Sequence, residues 1–281
     1  MSENIRYEGE NYLYFHTSTI PKCGTFHPHT HTGYEIYIYL CGNAEYIIES
    51  KIFSMKPYDI FVTKSDEVHQ VKHLSKEKYE RVVFQFNDEF LEKNNCQSYC
   101  KVLQNRTCDT DNMISPSSFE KKHLADCISR IEKYIGYAEK FSDTIVKCSL
   151  IELIHIINTI KSDNIKVTRN NNIGLIIDYI NENLTKDIKL DDIASHMFMS
   201  KYHICRIFKE HMGISIMKYI TSKRIKQVQH MYSEGMSLTL ACANAGFASY
   251  SSFYKAYYKE TGKSPKNDIE NYNLFTDIEL Q

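Results

Sequence analysis

The chain has 281 residues, enough for two domains, and its 42% hydrophobic and 25% charged residues are typical of a soluble protein. Its first ten residues have no apolar run, and its most apolar segment, residues 149–160, is too short to cross a bilayer. Nine cysteines without paired spacing are typical of reduced thiols. We therefore expect a cytoplasmic protein without a membrane partner.

The net charge of −1 hides an uneven distribution. Residues 193–266 contain eleven Lys or Arg and three Glu, a net charge of +8, so the rest of the chain carries −9. A basic segment of this size favours a polyanionic partner. A solvated surface with a chance excess of cations is the alternative.

Residues 11–90 have the pattern of short β-strands. Tyr and Ile alternate along residues 33–42, and a Gly-Asn turn separates this run from residues 43–50. Short strands at such spacing predict a sandwich or a small barrel.

From Phe119 the pattern becomes helical, with Leu124, Cys127, Ile128 and Ile131 in one stripe. A second predicted helix, residues 142–161, is apolar around most of its girth and must be covered on more than one side. The polar, Asn-rich segment that follows it is the best candidate for a linker.

Two helical units repeat at an offset of 49 residues. In each unit a tight turn joins two short helices, and the second helix begins after a Ser and ends at a Gly. Five residues match at this offset: Ser200 with Ser249, Ile204 with Phe253, Phe208 with Tyr257, Gly213 with Gly262, and Ser215 with Ser264. We expect Gly246 to permit a turn that a larger residue would strain.

The outer faces of the two second helices carry side chains suited to DNA. Arg bridges guanine O6 and N7, while Ser, Tyr and Lys contact bases or phosphates. The candidate DNA-binding residues are Lys201, Tyr202, Cys205, Arg206, Lys209, Tyr250, Ser251, Ser252, Tyr254 and Lys255. A helical bundle whose basic face only maintains solubility is the alternative.

The C-terminal residues resemble the AraC family of bacterial transcription regulators. The resemblance is carried by LDDIASHMFMSKYHICRIFKEHMGIS, YITSKRI and GFASYSSFYKAYYKETGKSP. It implies two recognition helices in successive major grooves of double-stranded promoter or operator DNA, held apart by a long helix that contains Tyr219 and Arg224. Activation is the commoner role in the family, and RNA polymerase is then a partner.

The N-terminal segment HPHTHTGYEIYIYLCG, with a later histidine, resembles the cupin metal motif. The residues concerned are His29, His31, Glu35 and His69. Three interpretations are open: a ligand pocket without metal, which we favour; a metal bound by these four residues; or remnant core histidines. Tyr37 is expected to line the pocket with them. We expect no cofactor, and the effector candidate is a sugar.

The sequence thus predicts an α+β protein with four parts. They are a cupin-like, effector-binding β-barrel (1–90), a helical connector that dimerises the chain (91–165), a linker (166–172) and an all-α DNA-binding domain with two helix-turn-helix motifs (173–272). The predicted function is a homodimeric, effector-controlled transcription regulator and not an enzyme. A metal-dependent cupin enzyme with an appended helical domain and a DNA-binding architectural protein without a ligand are the alternatives.

Overall fold

The computed structural model describes residues 4–24, 28–31, 33–65, 67–100, 112–136, 142–160, 168–233, 235–265 and 278–279. A β-rich N-terminal domain with attached helices is followed by an all-helical C-terminal domain. This arrangement confirms the predicted α+β class. Within the described ranges, no helix is long and apolar enough to span a membrane.

The strands of the described residues form two six-stranded antiparallel sheets. In chain order they are β1 (Ile5–Gly9), β2 (Tyr12–Thr19), β3 (His29–Thr30), β4 (Tyr34–Cys41), β5 (Ala44–Ile48), β6 (Lys51–Ser54), β7 (Ile60–Lys64), β8 (His69–His73), β9 (Tyr79–Phe86), β10 (Met113–Ile114), β11 (Thr168–Arg169) and β12 (Ile278–Glu279). The first sheet has the order β1-β2-β9-β4-β7-β10 and the second β11-β6-β5-β8-β3-β12.

Strand β4 is buried on both faces, which explains why its Tyr and Ile residues alternate without exposed polar positions. Ile36 and Ile38 belong to the core cluster that includes the helices of the connector. Tyr37 and Tyr39 belong to the cluster between the sheets, with Tyr46 of β5. Because successive side chains of a strand point to opposite faces, one strand supplies both cores.

Helices α1 (Asp88–Lys93), α2 (Ser118–Ile135) and α3 (Ser142–Thr159) and a 3₁₀ helix (Gln97–Cys100) follow the strands. Ser117 and Glu120 form a capping box that starts α2. The apolar girth of α3 is covered from two sides, because its buried residues share one cluster with α2 and the first sheet. The predicted helices at 119–160 are therefore confirmed.

The C-terminal domain contains six helices among the described residues. They are α4 (Asn171–Asn183), α5 (Leu190–His196), α6 (Lys201–Met212), α7 (Ile216–Ser233), α8 (Leu238–Asn244) and α9 (Tyr250–Thr261). The long helix α7 contributes to two cores. Tyr219 packs in the cluster of α4–α6, whereas Ile225 and Val228 pack in the cluster of α8 and α9.

The connection between the domains is more ordered than the predicted linker. Strand β11 pairs with β6 at the edge of the second sheet, and Asn170 caps α4. Among the described residues of the predicted linker at 166–172, Asn170 alone lies outside a strand or a helix, and residues 166–167 lie outside the described residues. The same applies to residues 266–272 of the predicted DNA-binding domain.

The caps of the two repeated helices are those that the sequence predicts. Ser200 accepts a hydrogen bond from the amide of His203, and Ser249 accepts one from Ser252. Gly213 and Gly262 end the helices with φ of 73° and 72°, in the left-handed region.

Gly246 lies in the turn between α8 and α9, with φ of 86°. A Cβ added there would lie 2.9 Å from the carbonyl oxygen of Leu184 and 2.8 Å from that of Thr185. The turn therefore needs glycine for two reasons, a left-handed backbone and the close approach of the end of α4.

We expect Gly246→Ala to lower the free energy of unfolding by about 2–4 kcal/mol, because the cost of a left-handed φ for alanine and the cost of a clash with two backbone oxygens are added together. Gly262→Ala is the matched control, since its φ is similar but no atom lies within 4 Å of the added Cβ. It should cost only about 1–2 kcal/mol. Urea unfolding followed by circular dichroism measures both, and equal losses would contradict the proposed close approach.

His16 joins the first sheet to the helical layer. Its Nδ1 lies 2.6 Å from Glu132 of α2, and its Nε2 lies 2.8 Å from Glu80 of β9. The hydrogen bond with Glu132 and the charges of both carboxylates raise the pKa of His16 above its ordinary value of 6.5, against the effect of burial.

A raised pKa in the folded state means that this stabilisation is fully present below pH 6.5 and is lost as pH rises through the folded pKa. We therefore expect His16→Gln to lower the melting temperature more at pH 6 than at pH 9. The control is His123→Gln on the exposed face of α2, which removes an imidazole but leaves the contacts of His16 with Glu80 and Glu132 intact. A pH-independent effect of His16→Gln would contradict the ionic contact.

Candidate DNA interface, barrel site and domain contact

The outer face of α6 is open to solvent. Tyr202 is 79% exposed, and Lys201 and Lys209 are also exposed. Cys205 is half-buried and packs against the first helical core, so it is less available to a partner than the sequence predicts. Since the first turn has no acidic residue, the positive end of the helix dipole is not neutralised there.

Arg206 of α6 is held by its own helix. Its Nη1 donates to both carboxylate oxygens of Glu210, at 3.0 and 3.3 Å. Exposed i,i+4 pairs of this kind contribute only about 0.3–0.5 kcal/mol. A guanine or a phosphate can therefore replace Glu210 at little cost.

The outer face of α9 carries a row of tyrosines. Tyr250, Tyr254 and Tyr258 are exposed at a spacing of four residues, and the rings of the last two are stacked 6.4 Å apart. Ser251 and Lys255 are exposed on the same helix. Ser252 also takes part in the cap, because its hydroxyl lies 3.0 Å from that of Ser249.

Two exposed residues of these units stand outside the list of candidate DNA-binding residues. Tyr258 continues the row of tyrosines, and its i+4 spacing in the sequence already places it on the outer face of α9. Phe198 is 97% exposed in the turn before α6, with φ of 52°. It lies two residues beyond the end of α5 at His196.

Arg224 of α7 fixes the distance between the two units. Its Nε donates to the carbonyl oxygen of Leu184 at 2.8 Å, and its Nη2 donates to that of Lys186 at 2.5 Å. Gly246 approaches the same segment. The end of α4, the middle of α7 and the second turn thus meet at one junction, so α6 and α9 are held as a pair.

The barrel site centres on Glu35 of β4, whose carboxylate is buried and only 3% of whose surface is exposed. Tyr46 donates to its Oε1 at 3.2 Å, and Gln85 donates to its Oε2 at 2.9 Å. His69 Nε2 lies 3.5 Å from Oε1, and His31 Nε2 lies 3.9 Å from Oε2. Tyr46 and Gln85 were not predicted, because nothing in the sequence relates β5 and β9 to the histidine motif.

Two of the three histidines come from the neighbouring strands β3 and β8, and His31 follows the end of β3. His29 and His69 are directly opposite each other in the pairing of β3 with β8, with ring centroids 4.2 Å apart. His31 is fully buried and its Nε2 lies 3.0 Å from the hydroxyl of Thr63. The structure therefore brings together four of the five predicted effector residues.

Tyr37, the fifth predicted residue, lies two positions beyond Glu35 on the same face of β4. Its ring packs 4.6 Å from that of Tyr46, and its hydroxyl contacts that of Tyr79. Tyr37 thus lies in the aromatic core beside the cluster and reaches Glu35 only through Tyr46.

The ionisation of the cluster is set by burial and by mutual charge. Burial lowers the pKa of His31 well below its usual value, and the nearby charge of Lys226 from α7 acts in the same direction. Burial alone would raise the pKa of Glu35, but the hydrogen bond with His69 and the charges of the imidazoles hold it well below its usual value. Glu35 is therefore a carboxylate.

The two domains touch through the turn between β5 and β6. Glu49 of this turn has φ of 51° and accepts hydrogen bonds from Tyr219 at 2.5 Å and Lys223 at 3.1 Å, both from α7. His211 Nε2 of α6 donates to the Glu49 carbonyl oxygen at 3.0 Å. A left-handed backbone position normally favours Gly or Asn. Glu49 occupies it instead, and its side chain makes contacts with α7 that neither of those residues could make.

Strand β8 belongs to this domain contact as well as to the barrel site. Val68, immediately before it, donates its amide to the Glu49 carboxylate and packs in the core cluster of α4–α6. Gln70 donates to the carbonyl oxygen of His211 at 3.0 Å. His69 lies between these two residues and faces Glu35.

Both halves of the chain match known families. The model of the AraC-like ligand binding domain matches residues 22–99, and that of a helix-turn-helix domain matches residues 193–270. The probable transcriptional regulator LumQ of Photobacterium leiognathi is 24% identical over 89% of this chain and 94% of that protein.

Two further relatives align over the C-terminal part. The HTH-type transcriptional activator AarP of Providencia stuartii is 31% identical over 33% of this chain and 70% of that protein. The melibiose operon regulatory protein of Escherichia coli K12 is 30% identical over 34% of this chain and 32% of that protein. Among solved structures, ToxT of Vibrio cholerae O395 covers 94% of this chain and 98% of that chain, with 14% identity and a TM-score of 0.38.

These matches confirm the two-domain interpretation, with a ligand-binding N-terminal domain and a DNA-binding C-terminal domain. The chain belongs to the AraC family of transcription regulators.

Proposed function

We propose that this regulator reads two successive major grooves of its operator with α6 and α9. The observation that carries the proposal is that both outer faces are exposed on helices fixed to α7 and to the end of α4. Recognition helices that are held as a pair contact half-elements about one helical turn apart. The candidate DNA-binding residues retain their predicted roles, with Cys205 the weakest among them.

Selection of bound duplexes from a random pool by the full-length protein tests this proposal. Two enriched half-elements separated by about 10 base pairs are the expected result. Binding that depends on salt but enriches no sequence would contradict the proposal, because the +8 segment would then bind DNA only by nonspecific electrostatic attraction.

Arg206→Ala is expected to weaken operator binding by about 1–3 kcal/mol and to relax the preference at one base pair, as for a lost bidentate contact. Arg6→Ala is the matched control, since Arg6 is also exposed and paired with a glutamate, Glu8, but lies on β1. It should leave binding unchanged. Titration of selected and scrambled duplexes measures both variants, and equal loss on both duplexes would make Arg206 a phosphate contact.

The effector is proposed to bind in the barrel at His29, His31, Glu35 and His69. An oxygen-rich molecule suits these hydrogen-bonding groups, and a sugar is one such class. The name of the melibiose operon relative agrees with this class. His29 is half-buried, whereas the other three residues are buried, so entry is proposed on the side of the cluster where His29 lies.

We further propose that the chain acts as a homodimer through α2 and α3, where Phe119 and Ile145 are exposed. RNA polymerase is a partner if the regulator is an activator. A cupin enzyme with an appended helical domain explains neither the two recognition faces nor the contact of the barrel with α7, so we propose that the barrel senses and does not catalyse.

The coupling between effector and DNA is proposed to run through β8. Alternate residues of a strand face opposite sides, so a ligand at His69 displaces the same strand whose neighbouring residues contact the helical domain. The Glu49 contact then restrains the DNA-binding domain when the barrel is empty and is released when the effector binds.

Glu49→Gln should raise the operator affinity of effector-free protein about 5-fold or more, because it removes the charge that holds Tyr219 and Lys223. Glu45→Gln is the matched control: Glu45 of β5 pairs with Lys72 inside the barrel domain and does not reach α7. Fluorescence anisotropy with the selected duplex measures both variants. An affinity equal to that of the control variant would contradict the proposed restraint.

A further inference from the structure

We propose that the barrel binds one divalent first-row transition-metal ion through His29, Glu35 and His69, and that the effector reaches this ion through an oxygen atom. This inference rests on the effector site proposed above and specifies its chemistry. It departs from the sequence-based expectation of a pocket without metal.

The geometry of the three side chains is the first argument. One imidazole nitrogen from each histidine and one oxygen of Glu35 all lie within 4.8 Å of one another. Ligand atoms that share one metal at about 2.0–2.2 Å lie about 3–4 Å apart. Displacements of less than about 1 Å for each ligand atom would therefore bring the two histidines and the carboxylate to the spacing that one metal ion requires.

Outer hydrogen bonds already orient two of the ligands. The Nδ1–H of His69 donates to the carbonyl oxygen of Glu67 at 2.9 Å, so its Nε2 faces Glu35. Glu35 is fixed by Tyr46 and Gln85. Fixing the tautomer and direction of metal ligands through such partners is typical of metal sites.

The size of the cluster also favours an ion. The facing atoms of Glu35 and His69 are 3.5 Å apart, which is the separation of two atoms that ligate one ion. A three-ligand set leaves coordination positions open, and these accept an oxygen of the effector. His29, the half-buried ligand, lies on the side from which both can enter.

His31 is a neighbour of the site and not a fourth ligand. Its Nε2 lies 3.0 Å from the hydroxyl of Thr63, and the set of ligand atoms that lie within 4.8 Å of one another consists of His29, Glu35 and His69. The imidazole-rich set prefers metals such as Fe²⁺, Co²⁺ or Zn²⁺ over Mg²⁺ or Ca²⁺.

The test is titration of full-length, chelator-stripped protein without a histidine tag with Co²⁺, followed by visible absorption and by elemental analysis after gel filtration. We expect one Co²⁺ per chain and a visible spectrum without thiolate charge transfer. His29→Ala and Glu35→Gln should each weaken binding at least about 10-fold. His73→Ala, four residues beyond His69 on β8 and outside the set, should bind as the wild type does.

Circular dichroism checks that each variant is folded. Because His29 is half-buried, its variant keeps the test decisive if Glu35→Gln does not fold. No stoichiometric Co²⁺, equal binding by His29→Ala, or a thiolate spectrum would overturn the proposal, and His69 and Glu35 would then form an ion pair. Duplex binding is measured separately in the same samples. Failure to bind Co²⁺ would therefore contradict the metal site without contradicting the proposed reading of DNA by α6 and α9.

Discussion

The carboxylate of Glu49 lies at the joint between the two domains and accepts hydrogen bonds from Tyr219, Lys223 and the amide of Val68. It is largely removed from water, so leaving it without these partners would cost several kcal/mol. In the proposed mechanism this contact is either made or broken. The orientation of α7, and with it that of α6 and α9, is then proposed to depend on which state holds.

Strand β8 gives this joint its connection to the barrel site. His69 faces the cluster around Glu35, whereas Val68 and Gln70 on either side of it engage the helical domain. A strand cannot shift one of these residues without its neighbours, because the backbone ladder to β5 fixes their register. If β8 couples the two sites as proposed, linkage requires that the effector and the DNA change each other's affinity by the same factor.

Sequence alone predicted the elements best where local chemistry decides them. Ser200 and Gly213 bound α6 because caps act within one turn of chain, and the charge of residues 193–266 needs no structure to count. The histidine motif was visible for the same reason, since His29, His31 and Glu35 are close in sequence. The partners that hold Glu35, Tyr46 and Gln85, were not visible, because strand pairing between distant segments decides them.

The domain contact lay beyond sequence reasoning altogether. Glu49 belongs to a turn in which Gly or Asn would be expected, and Tyr219 and Lys223 are 170 and more residues away. Nothing in the periodicity of either segment relates them.

Hydrogen–deuterium exchange of the full-length protein with and without its selected duplex tests the central claim most directly. The account predicts protection of α6 and α9 together with a change in amide exchange in β8 and in the turn that contains Glu49, although DNA touches neither. Protection confined to the recognition helices, with exchange at residues 48–51 and 67–71 unchanged, would contradict coupling between the domains.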